Sequence, residues 1–378
     1  MKYYLIAGEA SGDLHASNLI QALKHIDADT DFRAMGGDAM KEAGAKLSKH
    51  YSEMGFMGFI EVLQNLSTIR KTFDFIKKDI QSFNPTALIL IDFSGFNLRI
   101  AKWAHEHGIL VHYYIAPQVW ASRSSRVEKI RAYVDHLYVT LPFEPDFYRK
   151  HNHDATFVGH PLIDAMANSN EADTNQFLRD QGFGERPIIA LLPGSRKQEI
   201  SRILPELIKA TKDFTAFDIV VAGAPSQTPS FYEPYLQGAK IIFGKTQQLL
   251  QVAHLAVVTS GTATLETALI GTPQVVVYKT SPVSYAIGKR IVTLKYISLV
   301  NLILDRIAVK ELIQKECNPE KIKTAINELL DSTVRERMTR DYQELVKVLG
   351  DSGASERTAK AIYANTRTLL GQASDLLD

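Results

Sequence analysis

Cysteine is almost missing from this chain: Cys317 is the only one in 378 residues. No internal disulfide can form, which favours a reducing compartment. An excess of charge of one sign is missing too, with 43 Lys and Arg against 42 Asp and Glu and a net charge of +1. That excludes a strongly basic nucleic-acid footprint and leaves only local basic patches to consider. No uninterrupted apolar stretch is long enough for a membrane-spanning helix, and a strand pattern begins at Tyr3 with no signal-peptide pattern before it. The expectation is a cytosolic protein that can still touch a membrane surface. His and Cys do not cluster at metal-ligand spacing, so no metal and no other cofactor is expected.

What remains is an ordinary globular mixture, 45% hydrophobic and 22% charged, at a length that accommodates two domains. Apolar β-branched runs alternate with helical patterns throughout. The strand candidates of the first half are Tyr3–Ala7, Ala87–Ile91, Ile109–Ile115, His136–Val139 and Thr156–Val158. Those of the second half are Ile188–Leu192, Ile219–Ala222, Ile241–Phe243, Ala256–Thr259 and Gln274–Tyr278. Helices between strands imply parallel sheets covered on both faces. The predicted fold is therefore α/β: two Rossmann-like doubly wound domains, 1–165 and 187–345, facing a central crevice. Residues 346–378 are expected as a helical tail with the option of crossing back to the first domain. Asp164–Arg186, polar and without a strand signal, reads as the connection. Ligands of open α/β sheets sit at the carboxyl ends of the strands, but transferases, isomerases and binding proteins share that layout.

Gly8-Glu9-Ala10-Ser11-Gly12-Asp13 follows the first strand and enters a helix with Ala16, Leu19, Ile20 and Leu23 on one face. It lacks the glycine spacing of the dinucleotide fingerprint, which argues against NAD. Its small residues let backbone N–H groups approach a phosphate or sugar oxygen, and Ser11 and Asp13 are capping types for that helix. Asp92 ends the apolar strand that contains Ile89, Leu90 and Ile91. A partly buried carboxyl there is a candidate general base on a hydroxyl, or a structural cap for the next helix. Ala116-Pro117-Gln118-Val119-Trp120-Ala121 ends another strand, and Arg123, Arg126, Lys129 and Arg131 follow. These cations fit a phosphorylated sugar or a solvated basic face.

In the second half, Leu191-Leu192-Pro193-Gly194-Ser195-Arg196 ends a strand and opens a helix. Arg196 can pair with a diphosphate there; the alternative is a tight turn with a solvated arginine. Ser260-Gly261-Thr262-Ala263-Thr264-Leu265-Glu266 follows the strand Ala256–Thr259. Gly261 lets a ligand approach the backbone, the first-turn N–H groups are free, and Glu266 is placed to accept from a ribose diol. Plain helix capping by Ser260 or Thr262 is the alternative. With Arg196 in the same half, nucleotide binding is favoured.

Two further segments carry chemistry of a different kind. Asp27-Ala28-Asp29-Thr30-Asp31 has the look of metal-binding acids but follows a helix and precedes a strand, the opposite sheet edge from the ligands, and is rejected as a metal site. Met54-Gly55-Phe56-Met57-Gly58-Phe59-Ile60 leads into an expected amphipathic helix, Phe59 to Lys78, with Arg70 and Lys71 on it. Its apolar groups and flanking cations suit an anionic bilayer surface or acyl chains, while the helix itself reads as core.

Taken in order, GEASGD at Gly8, IDFSGFN at Ile91, APQVWA at Ala116, LPFE at Leu141, VGHPL at Val158, LLPGSR at Leu191, SGTATLE at Ser260, YISLVNL at Tyr296 and ELIQKEC at Glu311 resemble the lipid-A-disaccharide synthase family, of GT-B architecture. The resemblance implies inverting, metal-free transfer of diacylglucosamine from UDP-2,3-diacylglucosamine to 2,3-diacylglucosamine 1-phosphate. It implies Asp92 as base, Ser11 near the donor, and Arg196, Glu266 and Asn301 on the nucleotide side. Acylated substrates reside in a bilayer, so peripheral contact with the cytoplasmic face of the inner membrane is expected, with Met54, Phe56, Met57 and Phe59 as the candidate surface. Ser94, Ser122 and Val300 depart from the family's usual proline, tryptophan and proline. The rival readings are a UDP-sugar epimerase of similar architecture and a non-catalytic nucleotide-sugar binding protein.

Overall fold

The computed structural model describes residues 1–54, 66–121, 124–167, 174–282, 285–286 and 294–375. The chain divides into two compact units, Met1–Asp164 with Asp351–Asp378, and Ala165–Gly350. The first holds β1 (Lys2–Ala7), β2 (Asp31–Gly36), β3 (Lys46–His50), β4 (Ala87–Ile91), β5 (Leu110–Tyr114), β6 (His136–Val139) and β7 (Thr156–Phe157), in the order β3-β2-β1-β4-β5-β6-β7. The second holds β8 (Ile188–Leu192), β9 (Asp218–Gly223), β10 (Lys240–Phe243), β11 (Ala253–Thr259), β12 (Gln274–Tyr278) and β13 (Lys310–Ile313), in the order β10-β9-β8-β11-β12-β13. The strand pairings in both sheets are parallel.

The central strands read as unbroken apolar runs because both of their faces are covered. In β4 every residue is buried, and alternate side chains feed opposite cores. Leu88 and Leu90 join Tyr4, Ile6, Ile76, Ile80 and Ile100, under the helices Leu66–Phe83 and Ser94–Glu106. Ala87, Ile89 and Ile91 join Tyr3, Leu5, Leu19, Ile20 and Leu23, under the helix Ala10–Ile26. The last helix, Ala354–Asp375, completes this second face through Ala359 and Ile362. Its start is held by Asp164, whose carboxylate accepts from the N–H groups of Gly353 (2.7 Å), Ala354 (3.1 Å) and Ser355 (3.2 Å), satisfying donors that a helix start leaves open. In the second unit the helix Lys197–Thr211 buries Ile200, Ile203, Leu204, Leu207 and Ile208.

Each sheet reverses its direction of winding once, between β1 and β4 in the first and between β8 and β11 in the second. Such switch points are where open α/β sheets hold ligands. The four strands that flank them run directly into Gly8, Asp92, Pro193 and Ser260.

Three strands were not anticipated. β2, β3 and β13 carry charged residues and lie at or next to sheet edges, so no apolar run announces them. The helix expected from Phe59 to Lys78 is found at Leu66–Phe83, with residues 55–65 outside the described residues. The polar stretch after Asp164 contains a helix, Thr174–Asp180, whose Phe177 is buried in the core of the second sheet. Among the described residues no helix is long and apolar enough to cross a membrane.

Candidate active site

The chain leaves β4 through a strained corner. Asp92 and Phe93 both take left-handed backbone angles, with φ of 45° and 49°, a conformation that costs a non-glycine residue on the order of 1–2 kcal/mol. The surroundings hold it there. Asp92 N–H donates to Tyr114 O at 3.2 Å, while Asp92 O accepts from the Tyr113 hydroxyl at 2.6 Å and from Asn97 Nδ2 at 2.9 Å. The Phe93 ring lies flat on Gly8: a Cβ there would stand 2.3 Å from the ring, so only glycine fits beneath it. The β1 turn and the β4 turn are thereby packed into one unit. Strain of this kind concentrates where function needs a fixed geometry.

The Asp92 carboxyl is only partly exposed, and burial raises its pKa, with the negative charge of Glu9 acting in the same direction. Beside it, Arg126 Nη1 donates to Ser94 Oγ at 3.3 Å, so a cation from the helix Ser124–Tyr133 reaches the start of the helix after Asp92. Ser94, a departure from the usual proline, supplies that contact. Ser11 is exposed in the first turn of Ala10–Ile26. Asp13 does not cap that helix. Its buried carboxylate accepts from Gly37 N (2.7 Å), Ala39 N (3.1 Å) and Met40 N (3.2 Å), and so caps the neighbouring helix Asp38–Glu42. Its own helix starts at Glu9 with no side-chain cap.

In the second unit, Arg196 stands at the start of Lys197–Thr211 with its side chain 80% exposed, bonded to Glu199 at 3.4 Å. Such an exposed pair is weak, and the guanidinium can exchange it for a ligand anion. Ser260 Oγ donates to Ile297 O at 2.7 Å, and Gly261 follows with φ 154° and ψ −164°, a conformation open essentially to glycine alone. Gly261 and Thr262 are exposed at the start of Thr262–Ile270. Glu266, one turn in, accepts from Gln247 Nε2 at 2.9 Å.

Asn301 is placed differently from Arg196 and Glu266. It is wholly buried, and its amide is spent on the chain itself. Oδ1 accepts from Ala308 N (2.8 Å) and Val309 N (2.9 Å), and Nδ2 donates to Val309 O (2.8 Å) and Glu311 Oε1 (2.9 Å). Glu311 in turn accepts from Ile297 N (3.0 Å) and Ser298 N (2.9 Å). A chain of hydrogen bonds therefore runs from Asn301 through Glu311 and residue 297 to Ser260. Asn301 builds the loop rather than presenting a free group.

A family model described as lipid-A-disaccharide synthetase matches residues 3–364. The chain belongs to the lipid-A-disaccharide synthase family. The lipid-A-disaccharide synthase of Syntrophus aciditrophicus (strain SB) is 39% identical over 366 residues, 94% of this chain and 95% of that one. Its counterpart in Coxiella burnetii (strain CbuG_Q212) is 35% identical over 367 residues, 95% of this chain and 97% of that one. The protein is thus an enzyme, a glycosyltransferase. Among solved structures, the UDP-GlcNAc 2-epimerase of Methanocaldococcus jannaschii in complex with UDP-GlcNAc and UDP aligns with a TM-score of 0.65 at 14% identity, over 96% of this chain and 100% of that one. The calicheamicin glycosyltransferase CalG4 aligns with a TM-score of 0.59 at 17% identity, over 97% and 98%. At such identities the likeness is one of fold, the two-domain GT-B architecture.

Not every expected position of this lipid-A-disaccharide synthase family member is among the described residues. Arg123, Phe56, Met57 and Phe59 lie outside the described residues, and Met54 closes a 3₁₀ turn, Tyr51–Met54. Among the described residues no group of three or more His, Cys, Asp or Glu is arranged to hold a metal ion; Asp27 instead accepts from the N-terminal ammonium at 3.3 Å. Sequence reasoning missed Glu144. It is 2% exposed and accepts from Trp120 Nε1 at 3.1 Å, Thr140 N at 3.2 Å and Leu141 N at 2.9 Å, and burial pushes its pKa up to about 7. Glu144 closes the segment Leu141-Pro142-Phe143-Glu144, but nothing in the residue types pairs that segment with Trp120, more than twenty positions before it.

Proposed function

We propose that this protein joins two acylated glucosamines by inverting glycosyl transfer, with Asp92 as the base. A hydroxyl of 2,3-diacylglucosamine 1-phosphate attacks the anomeric carbon of UDP-2,3-diacylglucosamine. The new C–O bond forms as the bond to UDP breaks, the proton passes to Asp92, and the products are the disaccharide 1-phosphate and UDP. The observation that carries this reading is the Asp92 corner: a half-buried carboxyl of raised pKa, on a strained backbone, at the switch point of its sheet. Burial makes the carboxylate a better proton acceptor than a solvated one. Ser11 is assigned to the donor sugar, and Arg126, with Arg123, to the acceptor phosphate. In the second unit Arg196 pairs with the diphosphate, where it and helix-start N–H groups stabilise the departing charge. Ser260, Gly261 and Thr262 line the diphosphate side, and Glu266 takes the ribose hydroxyls. Asn301 acts through Glu311 as a positioning residue.

Both substrates are lipids, so the enzyme works at a bilayer surface, assigned here to the cytoplasmic face of the inner membrane. Met54, Phe56, Met57 and Phe59 are the proposed contact. The exposed Arg70 and Lys71, and Phe75 at 46% exposure, continue it on the helix Leu66–Phe83.

The deciding experiment measures UDP release with donor alone and with donor plus acceptor. Release only with acceptor supports transfer; conversion of the donor alone identifies an epimerase, and binding without turnover a nucleotide-sugar binder. Asp92→Asn should lower turnover by at least about a hundredfold, the low end for a general base, with UDP affinity unchanged. Near-normal turnover in that variant would reduce Asp92 to a structural corner.

A further inference from the structure

The loop after β5 ends in a 3₁₀ turn, Val119–Ala121, which presents one aromatic side chain in an unusual setting. Val119 is buried in the core of the first sheet at 3% exposure, while Trp120 remains partly exposed. The indole N–H is tied back to the buried Glu144 at 3.1 Å, and its ring meets the Phe143 ring edge to face, 5.0 Å between centroids and 86° between planes. Glu144 is itself fixed by two backbone N–H groups, of Thr140 and Leu141. A buried carboxylate is costly to keep; here Oε2 is anchored by the two backbone groups and Oε1 is left to hold the indole, which fixes the orientation of the ring. β5 pairs directly with β4, with Tyr114 opposite Ile91. The loop therefore leaves the sheet beside Asp92, and Arg126, downstream of it, already reaches Ser94.

We propose that Trp120, oriented by Glu144, is a stacking platform for the pyranose ring of the acceptor. The flat, electron-rich indole face matches the C–H face of a glucosamine in the way apolar and polar parts of tryptophan are used together at binding sites. Glu144 acts as its positioning residue. This rests on the reading of Asp92 as the base that meets the acceptor.

The chain has two tryptophans, Trp103 and Trp120, so Trp103→Phe leaves Trp120 as the sole tryptophan, read by exciting at the red edge where tyrosine does not absorb. The probe is a short-chain diacylglucosamine 1-phosphate kept below micelle-forming concentration. Its addition should change the Trp120 emission saturably, and UDP alone should not. Trp120→Ala should raise the acceptor KM about tenfold or more, as loss of an aromatic anchor does, with the donor KM unchanged. Trp120→Phe, which keeps a ring but loses the tether, should give a smaller rise, and it decides the matter if the alanine variant does not fold. Glu144→Gln should raise the acceptor KM while leaving kcat near wild type, a split that a purely structural role would not produce. Unaltered acceptor KM in the folded tryptophan variants, or an emission that ignores the acceptor, overturns the platform. Asp92→Asn in the Trp103→Phe background keeps the two readings separate. It should retain the emission response while losing turnover. Loss of turnover without any emission response sinks the platform alone; a response with turnover intact sinks the base alone.

Discussion

Glu144→Gln should change the way stability depends on pH, and the size of the change follows from burial. The carboxyl is 2% exposed, and burial lifts its pKa from the usual 4.5 to about 7 despite three donors that pull it down. An acid whose pKa is raised on folding holds its proton more tightly in the folded state. The stability it contributes is therefore full below about 4.5 and is lost as pH rises through about 7. At about 1.4 kcal/mol per pH unit, that rise corresponds to about 3 kcal/mol. Glutamine does not titrate, so the variant lacks this loss. Urea unfolding of both proteins from pH 4.5 to 8 measures it. The other titrating groups largely cancel in the difference, and the variant should gain about 3 kcal/mol on the wild type across the window. Parallel stability curves would refute the burial of a titrating carboxyl at this position.

Arg196→Ala and Glu266→Ala should each weaken UDP binding by roughly 1.5–3 kcal/mol, the range for a charge-assisted contact, in calorimetry; unchanged affinity in both removes the nucleotide from this loop set. Asn301→Ala should destabilise the second unit in thermal melting by several kcal/mol, because it strands two buried backbone donors at about 1–3 kcal/mol each. A variant that melts normally but binds UDP poorly would show that Asn301 touches the ligand after all. Replacing Met54, Phe56 and Met57 together with serine should lower sedimentation with anionic vesicles and leave UDP binding intact. A sharp drop in melting temperature with loss of UDP binding would instead place those side chains in the core.

The parts of this fold that could be read from sequence are those whose burial is complete. β4 and β8 begin and end where the apolar runs do, since both of their faces are covered and every position in them is buried and apolar. β2 and β3 escaped because charged groups belong in them: Arg33 on β2 leaves the sheet to pair with Asp79 at 2.6 Å. The candidate site divides along the same line. A strand-end acid such as Asp92 announces itself by contrast with its neighbours, but its left-handed backbone and its seat beside Gly8 come from packing. Asp13 shows the limit of local rules. Its position favours capping its own helix, yet its carboxylate reaches donors more than twenty residues away, at Gly37 to Met40. Nor could residue type separate Asn301, closed in by four hydrogen bonds, from Arg196 in solvent.

The last helix has a consequence for how the protein is made. The first sheet's core includes Ala359 and Ile362, and buried His112 finds a partner in Thr366 at 3.0 Å. All three follow the second unit, Ala165–Gly350, in the chain. A ribosome delivering about 5–20 residues per second spends roughly ten to forty seconds on that second unit. Throughout that time the earlier-made sheet has part of one apolar face open. The contiguous second unit is therefore the one able to close first, reversing the usual amino-to-carboxyl order of domain folding. The waiting face beside β5 and β6, where the last helix meets His112 and Tyr138, is where a nascent-chain chaperone would be needed, and slowing translation across 165–350 should lengthen that exposure without altering the finished enzyme.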